Sequence, residues 1–170
     1  LKLVAGASLD YESEQTVKVN VTADDGALKY TEEFTINVND LNDVAPTIET
    51  SATQSVAENS VLVAALTSSD VDTVGTDPAT FAITGNGADD ALFEIVGGNL
   101  QFKAANTPDF ETPADSGVNN VYEVEISAFD GVKTTLKTIN VTVADVNEKP
   151  TAINLSATAI DENNTAGEKV

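Results

Sequence analysis

The chain has 170 residues, with 28 Asp and Glu against 8 Lys and Arg, a formal net charge of −20, and neither Cys nor His. That charge balance excludes nucleic acid and direct insertion into anionic membranes, which need cationic surfaces, and it favours divalent cations. Without Cys or His there is no disulfide, no thiolate or imidazole metal site and no Ser-His or Cys-His dyad, so hard, oxygen-ligated cations are the metal chemistry left open.

Hydrophobic residues make up 41% and aromatics 5%, so the core is expected to be Val, Ile, Leu and Ala. No apolar run approaches the ~20 residues that span a bilayer. No signal peptide is visible, and the chain reads as a piece of something longer.

The predicted elements are strands with period-two alternation. Val17, Val19 and Val21 alternate with Lys18, Asn20 and Thr22, and Phe34, Ile36 and Val38 alternate with Thr35 and Asn37. An opening strand is expected over 47–53, followed by 61–66, 80–84, 92–96 and 99–103. Gly85-Asn86-Gly87 and Gly97-Gly98 read as hairpin turns. Tyr122, Val124 and Ile126 then alternate with Glu123 and Glu125, and Ile139, Val141 and Val143 with Asn140 and Thr142. About seven short strands in roughly 100 residues is the count of an immunoglobulin-like Greek-key sandwich.

The chain matches itself. Asp40-Leu41-Asn42-Asp43 returns as Asp145-Val146-Asn147-Glu148, with Asn42 and Asn147 105 residues apart, and each copy precedes a proline, Pro46 or Pro150. Asp25-Gly26 and Asp130-Gly131 keep that offset. Glu58-Asn59 matches Glu162-Asn163 at 104, and Asp10-Tyr11-Glu12 matches Asp109-Phe110-Glu111 at 99. The difference places an insertion in the turn-rich stretch 112–120. Ordered matches of this kind divide the chain into the C-terminal part of one repeat (1–43), a complete repeat (44–148) and the start of a third (149–170).

The recurring residues are acids at ligand spacing. Asp70-Val71-Asp72 puts two carboxylates on one side of an extended chain. Such a pair repels unless a cation lies between. Asp10 and Glu12, Asp109 and Glu111, Asp40 and Asn42, and Asp145 and Asn147 share the spacing. Calcium suits such a set, because it takes six to eight oxygens at about 2.3–2.6 Å from carboxylates, amides and carbonyls. A carboxylate cluster recurring at domain length points to an ion site at a seam between repeats.

The ordered set of Glu in an "xEN" segment, Asp-x-Asp, "LDxE", "AxDG" and "DxND" followed by Pro resembles that of cadherin repeats. The phrases "PDFETPADSGVNNVYEVEISAFDG" and "DVNEKPTAINLS" are similar to bacterial cadherin-like repeats of large surface adhesins. The resemblance covers the whole chain. It implies tandem cadherin-type sandwiches with calcium bridging consecutive repeats. By position, it implies a first junction of Asp10, Glu12, Asp40, Asn42, Asp43, Asp70, Asp72 and Asp130, with the carbonyls of Leu41 and Val44. A second junction would use Glu58, Asp109, Glu111, Asp145, Asn147 and Glu148. The family's second linker Asp is Glu148 here, a departure that bears on ion number or affinity. Glu162 would belong to a third junction.

The resulting expectation is a calcium-rigidified adhesive or extender segment of a secreted or surface-anchored bacterial protein. Its partners would be calcium, neighbouring repeats, and a second copy, another surface protein or a glycan. The alternative is a carbohydrate- or protein-binding module of a secreted polysaccharide-active enzyme. Against sugar binding, there is no Trp and only three Tyr. Catalysis by paired carboxylates such as Asp89 and Asp90 is not expected, since no cleft with aromatic platforms is evident. The sequons at Asn20, Asn140 and Asn154 follow from strands rich in Asn, Thr and Val.

Overall fold

Residues 2–150 and residue 153 are described by the computed structural model. The expected start of a third repeat therefore lies almost wholly outside the described residues. The first unit is a long antiparallel hairpin of β1 (Thr16–Asp24) and β2 (Lys29–Asn37), in register from Thr16 opposite Asn37 to Asp24 opposite Lys29.

The second unit is a complete immunoglobulin-like β-sandwich. Its strands are β3 (Thr47–Ile48), β4 (Thr53–Ala57), β5 (Leu62–Ala65), β6 (Ser68–Ser69), β7 (Thr80–Ile83), β8 (Phe93–Val96), β9 (Asn99–Phe102), β10 (Val121–Phe129) and β11 (Thr134–Ala144). One sheet has the order β4-β11-β10-β7, with β4 parallel to β11. The other is β5-β9-β8, and β3 pairs separately with β6.

Three expectations change and one holds. The stretch 47–53 is not one strand: β3 pairs with β6, and the chain then crosses to add β4 beside β11. A short 3-10 turn at Asp90–Leu92 takes the start of the strand expected from Leu92, so β8 begins at Phe93. Gly85-Asn86-Gly87 is not a hairpin turn. It links β7, which pairs with β10, to β8 in the opposite sheet, and Gly85 and Gly87 donate their N–H groups to Asp90 Oδ2 at 2.7 and 3.0 Å. Gly97-Gly98 is a two-residue hairpin turn, with both glycines at positive φ (57° and 79°), the backbone of a type I′ turn.

The two hairpins are copies. β10 and β11 pair from Val121 opposite Thr142 to Phe129 opposite Thr134, the β1–β2 register shifted by 105 residues. Their turns close alike. Asp25 Oδ1 accepts the N–H groups of Ala27 and Leu28 at 2.9 and 2.8 Å, and Asp130 Oδ1 accepts those of Val132 and Lys133, both at 2.7 Å.

The core follows the period-two pattern. Tyr122, Val124, Ile126, Ile139, Val141 and Val143 are buried against Phe93, Leu100 and Phe102. The equivalent face of β1–β2 lacks a covering sheet among the described residues, so Val21 is 50% and Phe34 44% exposed. Phe93, Phe102 and Tyr122 form an aromatic triangle. Phe93 and Phe102 lie 4.3 Å apart, and Phe102 meets Tyr122 edge-on at 5.0 Å. Such pairs contribute about 0.5–1.5 kcal/mol beyond their buried area.

Phe102→Ala should lower the unfolding free energy by about 3–5 kcal/mol in urea denaturation, the cost of a large core cavity. Phe129→Ala, at an exposed strand end, should cost less than about 1 kcal/mol. Equal losses would show that the triangle does not anchor the core.

Candidate metal centres

Strand direction places the acids at the two ends of the complete sandwich. Asp130 sits in the β10–β11 turn, at the end where β3 begins and β6 stops. Asp70 and Asp72 follow β6, and the linker 40–44 precedes β3. At the opposite end, parallel pairing sets Ala57 of β4 beside Ala144 of β11. The next residues, Glu58 and Asp145, therefore emerge side by side. The Asn59 N–H donates to Pro108 O at 2.9 Å, which brings in Asp109 and Glu111.

At the first end, Glu12, Asp40 and Asp72 offer carboxylate oxygens within 4.8 Å of one another. Protein groups hold one side of several ligand candidates. The Thr73 hydroxyl and N–H donate to Asp40 Oδ2, and the Val44 N–H donates to Asp72 Oδ2 at 3.0 Å. Asn42 Nδ2 donates to the Asp130 carbonyl at 3.4 Å. Asp70 Oδ1 accepts the Asp72 N–H at 3.2 Å.

The opposite atoms of these groups have no protein partner. Asp40 Oδ1, Asn42 Oδ1, Asp72 Oδ1 and Asp130 Oδ2 are buried and unpartnered. Asp72 is only 7% and Asp130 1% exposed. Buried carboxylate oxygens without donors are costly and rare. Four at one seam, all oxygen, fit a hard cation.

The remaining candidates lie around this group. Asp10 folds back locally, accepting the N–H groups of Glu12 and Ser13 and the Ser13 hydroxyl. Asp43 is exposed, as are the side chains of Leu41 and Val44, whose expected contribution is a backbone carbonyl.

At the second end, Glu58, Glu111 and Asp145 form a corresponding cluster within 4.8 Å. Glu58 is 4% exposed and accepts the Phe110 and Val146 N–H groups at 3.0 and 2.7 Å. Asp109 Oδ1 accepts the N–H groups of Glu111 and Thr112, repeating the Asp10 turn. Glu148 Oε1 accepts Asn59 Nδ2 at 3.0 Å. Asn147 is exposed and outside the close cluster.

Two contributors were not singled out from the sequence as site residues: Thr73 and Asn59. A hydroxyl directly after Asp-x-Asp was the one available signal for Thr73. Asp89 and Asp90, the pair weighed for catalysis, are buried and engaged by backbone N–H groups. Asp89 accepts those of Ser116 and Glu123, and Asp90 those of Gly85, Gly87 and Glu125. Tyr122 lies in the core, which leaves Tyr30 as the one exposed tyrosine.

The fold has solved counterparts. Mouse clustered PcdhgC3 EC1-3 matches 83% of this chain at 26% identity and TM-score 0.59, with 46% of that chain covered. Protocadherin Gamma B7 extracellular cadherin domains 1–4 match 81% of it at 25% identity and TM-score 0.63, with 34% of that chain covered. The structural neighbours are cadherin extracellular repeats. Human Protocadherin-24 EC1-2, at 20% identity and TM-score 0.58, matches 83% of this chain and 71% of its own, and shares the fold. The chain spans less than half the length of the first two. No family model and no curated protein matches it.

Local electrostatics single out two carboxyls. The Glu12 carboxyl is drawn down by its own backbone N–H. Burial, the contact with Asp10 and the charges of Asp40 and Asp43 outweigh that and raise it above the usual range. Glu111 is likewise raised: its backbone N–H lowers it, but burial and the charges of Glu58, Asp145 and Glu148 prevail. Asp40, by contrast, is lowered, first by the Thr73 hydroxyl. Glu58 is lowered by the Phe110 and Val146 N–H groups.

A raised carboxyl keeps its proton to higher pH, and a cation binds the deprotonated form. Affinity for a divalent cation at these clusters should therefore fall as pH is lowered toward the carboxylate range, with protons released on binding at the lower pH. Calorimetric titration in buffers of different ionisation enthalpy measures both. A pH-independent affinity would remove Glu12 and Glu111 from the ligand set.

Proposed function

We propose that this chain is a segment of a tandem-repeat extracellular adhesion protein whose junctions bind calcium and are stiffened by it. The observation that carries the reading is the split ligand set at the first junction. Glu12 and Asp40 precede the sandwich, while Asp72 and Asp130 belong to it. A cation held by both sides would join two bodies that otherwise share a short linker. Asp10, Asp43 and Asp70, with the Leu41 and Val44 carbonyls, would complete the oxygen shell. Glu58, Glu111 and Asp145 would form the core of the second site, with Asp109, Asn147 and Glu148 around it.

The chemistry supplied by the ion is charge neutralisation and multidentate oxygen ligation. Calcium suits the site better than magnesium, which keeps more of its waters and takes fewer protein ligands. The adhesive role and extracellular location follow the cadherin neighbours, and the bacterial surface-adhesin setting follows the sequence phrases. No described helix is long and apolar enough to cross a membrane.

The absence of native cysteine permits clean spin labelling at Asn20→Cys on β1 and Thr138→Cys on β11. Electron-spin distance measurements should give a narrow distribution with calcium and a broad one in chelator. Asp72→Asn should shift the calcium-loaded sample toward the broad form. Identical distributions with and without calcium would defeat the stiffening reading.

A further inference from the structure

The protein bonds made by the side chains of Asp40, Asn42 and Asp72 each use one atom of the group and leave one oxygen bare. Asp40 gives Oδ2 to Thr73 and keeps Oδ1 free. Asp72 gives Oδ2 to the Val44 N–H and keeps Oδ1 free. Asn42 donates its amide to the Asp130 carbonyl and keeps Oδ1 free. That carbonyl also accepts the Thr76 N–H at 2.7 Å, which ties the 72–76 loop to the β10–β11 turn.

Gly75 makes the close approach possible. Its φ is +107°, and a Cβ there would collide with the Asn42 amide and stand 3.2 Å from the Asp130 carbonyl oxygen. Both the backbone conformation and the space exclude a side chain.

From this arrangement we infer that the 72–76 loop is a metal-independent latch: it docks the linker onto the following repeat before any ion binds, and Thr73 is the positioning residue that turns Asp40 Oδ1 toward the cation. The inference rests on the calcium reading for its second half only. Outer groups that orient a ligand typically change metal affinity 10–100-fold when removed. Thr73 is exposed and its side chain is not part of the core, so its replacement should leave the sandwich folded.

The test has an ion-free and an ion-dependent arm on the 170-residue chain. In chelator, amide hydrogen exchange at Thr73 and Val44 should be slowed at least about tenfold against open-chain rates. Thr73→Val should lose most of that protection, and Thr73→Ser should keep it. In calcium titrations, Thr73→Val should weaken the first site about 10–100-fold while Thr73→Ser stays within about threefold. Gly75→Ala, which displaces Asn42, should reproduce the Thr73→Val losses. Unprotected amides in chelator would overturn the latch. So would a Thr73→Val affinity equal to that of the original chain, or equal losses for Val and Ser. If the original chain binds no calcium, the functional reading fails, while the latch still stands or falls on the exchange data.

Discussion

Carboxylate oxygens buried at a seam without donors constrain everything else in this molecule. Asp72 and Asp130 belong to the sandwich and are almost wholly covered, yet each leaves one oxygen unpartnered. Asp40 and Asn42 bring two more from the linker. Protein groups cannot resolve this crowding, because the nearby N–H and hydroxyl donors are already spent on the opposite oxygens. Among the described residues, no ion pair reaches these oxygens. The described ion pairs, Lys18–Glu33 and Lys29–Asp24, both lie along the β1–β2 hairpin. A hard cation would satisfy the set.

The sandwich matters as the frame that sets those oxygens. Asp130 is held by Val132 and Lys133 in a turn whose register is fixed by nine residue pairs of β10 and β11. Parallel pairing of β4 with β11 places Glu58 beside Asp145 at the other end. Both placements are backbone consequences of ladders whose inner faces are largely buried, and a one-residue slip would turn that face outward. The core thus sets the register, and the register positions the ligands.

Most of this was legible in the sequence, for identifiable reasons. Period-two alternation marks long strands with one buried face, so β1, β2, β10 and β11 could be read directly. The 105-residue offset survives in the register and in the Asp25 and Asp130 turns. Short elements were harder. β3 and β6 are two residues each, too short to carry a period, and the crossing from β3 to β4 depends on which neighbouring strand is free. Gly85-Asn86-Gly87 was misread as a hairpin because turn composition does not say which sheet the chain enters next. Asp90, one of two adjacent acids with no distinguishing mark in the sequence, proves to be the group that closes that loop. Among the ligand candidates, spacing could propose Asp72 and Glu58. It could not find Thr73, whose partner Asp40 lies 33 residues away, nor Asn59, whose partner Glu148 lies 89 away.

The two ends are chemically unequal, and the inequality bears on how each would respond to an ion. At the first end, donors hold one oxygen of Asp40 and of Asp72 and leave the other free. At the second, both oxygens of Glu58 accept backbone N–H groups, and one oxygen of Glu148 is taken by Asn59. A cation arriving there must share oxygens already in use or rely on Glu111 and Asp145. The sandwich between them buries its core with its own residues, so ion binding has little left to contribute to the fold of that unit. Its free energy would act where the ligand set is divided, on the angle between one unit and the next. A structural zinc that folds its own domain works differently. Here the metal would act on a joint between bodies that already have their shape.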